Sequence, residues 1–339
     1  MWRFSRQTGA YVGLLAGGFV VAVAASWTGL GAQMDNNAYD FMFRLHRPRP
    51  WQTETILLTI DELTLQAVHG IRGIRAPLAR GLEAIAKASP KAVAIDLIFA
   101  DESNPADDAT LEAAFRATPN LVLPCELIQQ GKLWEDPLPR FGRYAAGVGH
   151  VHAQPDDLDA VSRAIPLEKA TDRERRWALP LEAYRVSRGA TIVESPNDLQ
   201  VGGVLIPSRY AEGRLMRIRY VPPGMPPIPQ VSLKDLLADE RLAARFHNRV
   251  VFVGVIAQSE MKDRLATPYS FGSYMPGIEI LANAFETIAQ GHFITDAPHW
   301  SVLAASLLFV AAAGVIFAYL PGWQAYAAGV AVLLAANLL

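Results

Sequence analysis

The chain has 339 residues, a formal net charge of −2 and 51% hydrophobic residues. The balanced charge excludes a basic field for nucleic acid. The single cysteine, Cys125, excludes an intramolecular disulfide framework and reads as a buried core thiol. The apolar residues are uneven: charge-free runs lie at the two ends, and the middle has the composition of an ordinary globular domain.

Residues 1–10 carry Arg3 and Arg6, and residues 11–30 carry no charge. Twenty residues at about 1.5 Å each span about 30 Å, the thickness of the hydrocarbon core. Asp35 and Asp40 follow. The positive-inside rule then predicts a cytoplasmic N-terminus and an extracytoplasmic segment over 35–298. The alternative is a cleaved signal peptide, for which the run is long and Leu30-Gly31-Ala32 a poor cleavage site. Residues 301–320 form a second charge-free run, with Trp300 and Tyr319 at its ends as interfacial aromatics. Pro321-Gly322 predicts a turn, and 323–339 starts a third apolar run inside which the sequence stops. The expectation is a multi-pass protein of the lipid bilayer whose sequence continues into the cytoplasm.

Between the anchors, Ile56-Leu57-Leu58-Thr59-Ile60 predicts a strand buried on both faces, ending at Asp61-Glu62. Residues 77–87 predict a helix with Pro77 in its first turn and Leu78, Leu82 and Ile85 inward. Ala92-Val93-Ala94-Ile95 predicts a second buried strand ending at Asp96. A third helix, capped by Asp107 or Asp108, carries Leu111, Ala114 and Phe115 inward. A short strand over 121–123 follows. This alternation predicts an α/β fold with a mixed, partly parallel sheet flanked by helices. Further on, 197–207 predicts a hairpin around Gly202-Gly203, and 214–221 alternates with Met216, Ile218 and Tyr220 on one face. Residues 222–229 read as a proline-rich loop, and 233–237 and 240–246 as short helices. Residues 250–253 predict another buried strand. Residues 277–290 predict a helix stopped by Gly291.

Several segments together resemble the CHASE2 family of bacterial extracytoplasmic sensor domains, from about Ala38 to Trp300. Ala38 to Arg44 resembles the family's opening segment after its first membrane helix. Ile56 to Glu62 resembles its first strand with the acidic end, and Pro90 to Phe99 its second. Val148-Gly149-His150-Val151 with Asp156 to Pro166 resembles a later motif in which Arg163 and Pro166-Leu167 fit, while Ala160 stands where the family has glycine. Arg249 to Gly254, Asp263 with Thr267-Pro268, and Met275 to Glu279 with Ala282 resemble the remaining motifs. The resemblance implies one membrane helix, the sensor, then further membrane helices in a bacterial inner membrane. It also implies a cytoplasmic output domain absent from this chain: a histidine kinase, Ser/Thr kinase or nucleotide cyclase.

Candidate ligand-binding residues are Asp61, Glu62 and Asp96, at the carboxyl ends of strands read as neighbours, where open α/β sheets bind ligands. Arg163 joins them as an anion contact or ion-pair partner, and Asp263 in the loop after the 250–253 strand. The bland reading of the acids, including those over 101–108, is helix capping and solvated loop. His150 and His152 have an i, i+2 spacing that can serve a metal, but no third ligand is in view, so no metal is assigned. Arg173, Arg175 and Arg176 with Glu174 read as an exposed polar loop. There is no Gly-x-Ser-x-Gly, phosphate-binding loop or zinc spacing, so neither a cofactor nor catalytic residues are assigned. The expectation is a non-enzymatic sensor of a small extracellular ligand, acting as a homodimer. The alternatives are a membrane-tethered exported enzyme and an envelope interaction domain.

Overall fold

The computed structural model describes residues 6–45, 52–259, 264–270 and 274–336. The chain divides into two compact units, Met1–His46 with Thr295–Leu339, and Arg47–Ile294.

In the first unit, helices span Arg6–Ser26, Gly29–Leu45, His299–Tyr319 and Trp323–Ala336. Gly9–Ser26 and Trp300–Tyr319, with mean hydropathies of 1.8 and 2.4, are long and apolar enough to cross a membrane. These two helices touch closely. The Tyr11 hydroxyl donates to the Gly314 carbonyl at 2.7 Å. A Cβ on Gly314 would lie 2.6 Å from Leu15 Cδ1, so a larger residue there would have to displace the end of the Leu15 side chain. The first apolar helix ends at Ser26, short of the 11–30 run read from the sequence, and Leu30 already belongs to the second helix.

The second unit is built on a sheet. In chain order its main elements are β1 (Thr55–Ile60), α1 (Glu62–Ala67), α2 (Arg75–Lys87), β2 (Ala92–Asp96), α3 (Pro105–Ala117), β3 (Leu121–Ile128), β4 (Leu133–Glu135) and β5 (Gly147–His150). They continue with α4 (Leu179–Ser187), β6 (Gln230–Ser232), α5 (Leu233–Ala238), β7 (Val250–Val255) and α6 (Gly277–Gln290). The spatial order is β6-β1-β7-β2-β3-β5, all parallel, with β4 antiparallel to the end of β3. The mixed, partly parallel sheet flanked by helices is therefore as the pattern predicts.

The central strands are buried on both faces, which explains their unbroken apolar runs. Ile56, Leu58, Val93, Ile95, Val251 and Val253 pack under Leu78, Leu82 and Ile85 of α2 and Leu111 and Phe115 of α3. On the other face the Phe252 ring meets Phe285 of α6 edge-on at 5.7 Å, and Phe285 meets Tyr184 of α4 at 5.8 Å. α6 approaches so closely that a Cβ on Gly254 would lie 2.8 Å from Ile278 Cβ.

The amino edge of the sheet is cross-braced. Thr55 donates its N–H (2.8 Å) and hydroxyl (2.6 Å) to Glu286 Oε1 on α6, a fully buried carboxylate. Burial pushes the Glu286 pKa up, and the Thr55 hydrogen bonds oppose that shift. Beside it, Glu54 accepts from Arg188 at 2.7 Å and Lys91 at 3.1 Å.

Two local readings change. α3 is capped not by Asp107 or Asp108 but by Asn104, whose side chain accepts from Ala106 N, with Pro105 at the first helical position. The helix therefore starts three or four residues earlier. The 197–207 hairpin forms as Asp198–Val201 and Val204–Pro207, with Ile192–Glu194 as an additional antiparallel partner.

Candidate functional site

The carboxyl edge of the sheet gathers the ends of β1, β7 and β2. Thr59, Gly254 and Asp96 lie level in register. The strands of Asp61 and Asp96, read as neighbours, are in fact separated by β7. The two acids therefore stand two strand spacings apart, about 10 Å. The sequence conceals this because β7 arrives late in the chain.

Asp61, Glu62 and Arg264 each hold part of this edge together. Asp61 is the N-cap of α1: its Oδ1 accepts from Thr64 N at 2.8 Å and Thr64 Oγ1 at 2.7 Å. Burial tends to raise its pKa, but these hydrogen bonds outweigh it and hold the carboxyl below the ordinary value. Glu62 is exposed and accepts from the Ser259 hydroxyl at 3.0 Å, joining the loops after β1 and β7. Asp96 ends β2 half-buried. Arg264 ties the loop after β7 to the sheet, donating to the Ile256 carbonyl at 2.6 Å and the Tyr274 carbonyl at 3.0 Å. Glu279, in the first turn of α6, has its pKa raised by burial, with Arg264 pulling the other way. Asp263 lies outside the described residues.

Arg163 lies on the strand Ser162–Pro166. It is buried and makes twin hydrogen bonds to Asp159 at 3.0 and 2.8 Å. That pair closes the turn in which Ala160 has φ +57°, the left-handed region that favours glycine. This chain holds the turn's shape without the glycine. The segment reaches the β7 loop through Ser162 N, which donates to the Ala266 carbonyl at 2.7 Å.

The 101–108 acids divide. Asp108 is buried, pairs with Arg75 and accepts from Ser103 N at 3.0 Å. The Arg75 guanidinium lies 5.6 Å from the Phe99 ring centre and 5.8 Å from that of Phe141. The Asp108 carboxyl is held below its ordinary pKa, because hydrogen bonds from Ser103 and Arg75 exceed the cost of burial. Asp108 is thus neither a cap nor a solvated loop acid but half of a buried ion pair. Among the described residues, no three of His, Cys, Asp and Glu converge as a metal site.

At the far edge of the sheet, an open cleft of about 440 Å³ is lined by Asp136, Gly147, Val148, Arg176, Glu182 and Arg185, among others. Arg176 belongs not to a loose loop but to a strand, Arg175–Trp177, paired with Glu168–Ala170. It binds Asp136 at 3.2 Å and Glu174 at 2.8 Å. His150, which ends β5, is fully buried, and neither ring nitrogen has a hydrogen-bond partner among the described residues. Such an orphaned polar atom costs about 1–3 kcal/mol. Burial drives the His150 pKa down to about 3, with His152 and Lys169 adding to the shift. His152 Nε2 accepts from Leu127 N at 2.6 Å. The i, i+2 histidines were legible in the sequence; the burial of one of them was not.

The sequence matches the CHASE2 domain over residues 17–318, most of the chain. The chain belongs to the CHASE2 family. CHASE2 domains are extracytoplasmic sensory domains of membrane signalling receptors. No match is found among curated proteins or among solved structures. The CHASE2 match takes in part of the first apolar helix and nearly all of the second, so sensor and flanking helices form one family unit.

Proposed function

We propose that this chain is the sensory and anchoring region of a transmembrane receptor. In this reading residues 35–298 lie outside the cytoplasm of a bacterial inner membrane, and the chain crosses it more than once. A cytoplasmic histidine kinase, Ser/Thr kinase or nucleotide cyclase carries the output, and the segment described here is not itself an enzyme. The observation that carries the proposal is a CHASE2 match that begins and ends within two helices of membrane-spanning length and hydropathy. Arg3 and Arg6, ahead of the first apolar span, support a cytoplasmic N-terminus. The sheet-edge acids support the non-enzymatic reading, since Asp61 serves as a cap and Glu62 as a loop contact.

A small extracellular ligand acts by binding one of two packings of the membrane helices better than the other, within a homodimer. The Tyr11–Gly314 contact between the two apolar helices is where such packings would differ. Alkaline phosphatase fused in the 143–147 turn should be active and a cytoplasm-dependent fluorescent protein at that point dark. The reverse pattern refutes the topology. In the whole receptor, deletion of 47–294 should abolish stimulus-dependent output, and retained regulation refutes the sensory role.

A further inference from the structure

His150 is buried with both ring nitrogens unpartnered among the described residues, and buried histidines ordinarily find a partner. Its register partner across β3 and β5 is Cys125, the one cysteine of the chain. Side chains paired in register on adjacent strands project from the same face, about 4.8 Å apart at the backbone. A thiolate and an imidazole nitrogen joined end-on through one ion stand roughly 4 Å apart, from metal–sulfur and metal–nitrogen bonds of about 2.3 and 2.0 Å.

We propose that Cys125 Sγ and a ring nitrogen of His150 form a two-coordinate site for a soft monovalent cation, Cu(I) in class. Three observations select this ion. Thiolate and imidazole are the donors soft copper prefers. Only two donors are available: no third His, Cys, Asp or Glu converges among the described residues, and His152 Nε2 is taken by Leu127 N–H, which disfavours tetrahedral zinc. The Arg176 guanidinium beside the sulfur is already balanced by Asp136 and Glu174, so one thiolate and one Cu(I) add no net charge there, whereas a divalent ion would add an unpaired buried charge. On binding, the Cys125 S–H bond breaks, the S–Cu bond forms, and the proton leaves to solvent. Copper stays Cu(I) and no electron moves. Arg176 and Asp136 line the open cleft at the same edge of the sheet.

This names a ligand class for the proposed sensor, but it rests on the fold of the domain and not on the signalling role. It is tested without any output domain. The full chain, purified in detergent and reduced, is titrated anaerobically with Cu(I) buffered by bicinchoninate. The expected result is one Cu(I) per chain, with an X-ray absorption shell of one sulfur and one nitrogen. Affinity should rise about tenfold per pH unit below the thiol pKa. Cys125→Ala and His150→Leu should each weaken binding at least 100-fold while leaving far-ultraviolet circular dichroism unchanged. Should either variant fail to fold, wild type decides: Cu(I) should protect the sole cysteine from maleimide in mild denaturant. Wild type that retains no copper, a sulfur-free shell, Cys125→Ala binding like wild type, or an unprotected thiol overturns the proposal.

Discussion

The two edges of the central sheet hold their polar groups in different ways. At the amino edge, Glu286 reaches Thr55 across 231 residues of sequence and Arg188 reaches Glu54 across 134, so distant segments are locked together at the start of β1. At the carboxyl edge, Asp61 bonds to Thr64 three residues on, and Glu62 meets an exposed serine. The first arrangement fixes the fold. The second shapes loops through one local cap and one water-exposed bond between loops, and loops held that way can adjust to a ligand without loosening the core.

This contrast can be broken by substitution. The largest effect is expected for Glu286→Ala, which strands the Thr55 N–H and hydroxyl in the interior and should cost about 2–4 kcal/mol in urea unfolding. Asp61→Ala removes one helix cap and should cost about 1 kcal/mol in the same measurement. A cost equal to that of Glu286→Ala would erase the distinction between the edges.

The pH dependences should run in opposite directions. The Asp61 pKa is lowered from 3.8, so its stabilisation holds above that pH and is lost as pH falls through the folded value. Asp61→Asn should therefore differ from wild type at neutral pH and converge with it in acid. The Glu286 pKa is raised from 4.5, so its contribution is full below that pH and is lost as pH rises through the folded value. Glu286→Gln should gain on wild type as pH rises above 4.5. Thermal melts from pH 3 to 7 separate the two, and parallel curves would refute the assignment. The smallest effect is expected for Glu62→Ala, within about 0.5 kcal/mol, because its bond to Ser259 is exposed to water.

Where the fold was legible in the sequence, period and burial agreed. β1, β2 and β7 read as unbroken apolar runs because both of their faces are covered, and α6 showed its stripe of Ile278, Leu281, Phe285 and Ile288 up to Gly291 at φ +63°. α4 was not read, because Pro180 and the nearly all-round burial of its residues hide the helical stripe. Strand order was hidden for a different reason: nothing local to Val250–Val255 says that it enters between β1 and β2. Of the candidate residues, Asp61, Glu62 and Asp96 were legible as strand-end acids, but their spacing depends on that insertion. The Arg163–Asp159 pair was half legible, since the turn between them wants a left-handed residue and Ala160 gives no sign of adopting that shape. That neither His150 ring nitrogen finds a hydrogen-bond partner among the described residues could not be read at all, since it is a property of everything packed around the ring.

The insertion of β7 also sets a schedule for synthesis. β1 and β2 are finished by residue 96, but the strand that fills the gap between them emerges roughly 190 residues after β1, which is about 10–40 s of ribosomal elongation. Through that interval two apolar strands have no neighbour on their facing sides. A nascent CHASE2 chain is therefore most prone to sticking to other chains before its last third arrives, and most dependent then on whatever escorts it.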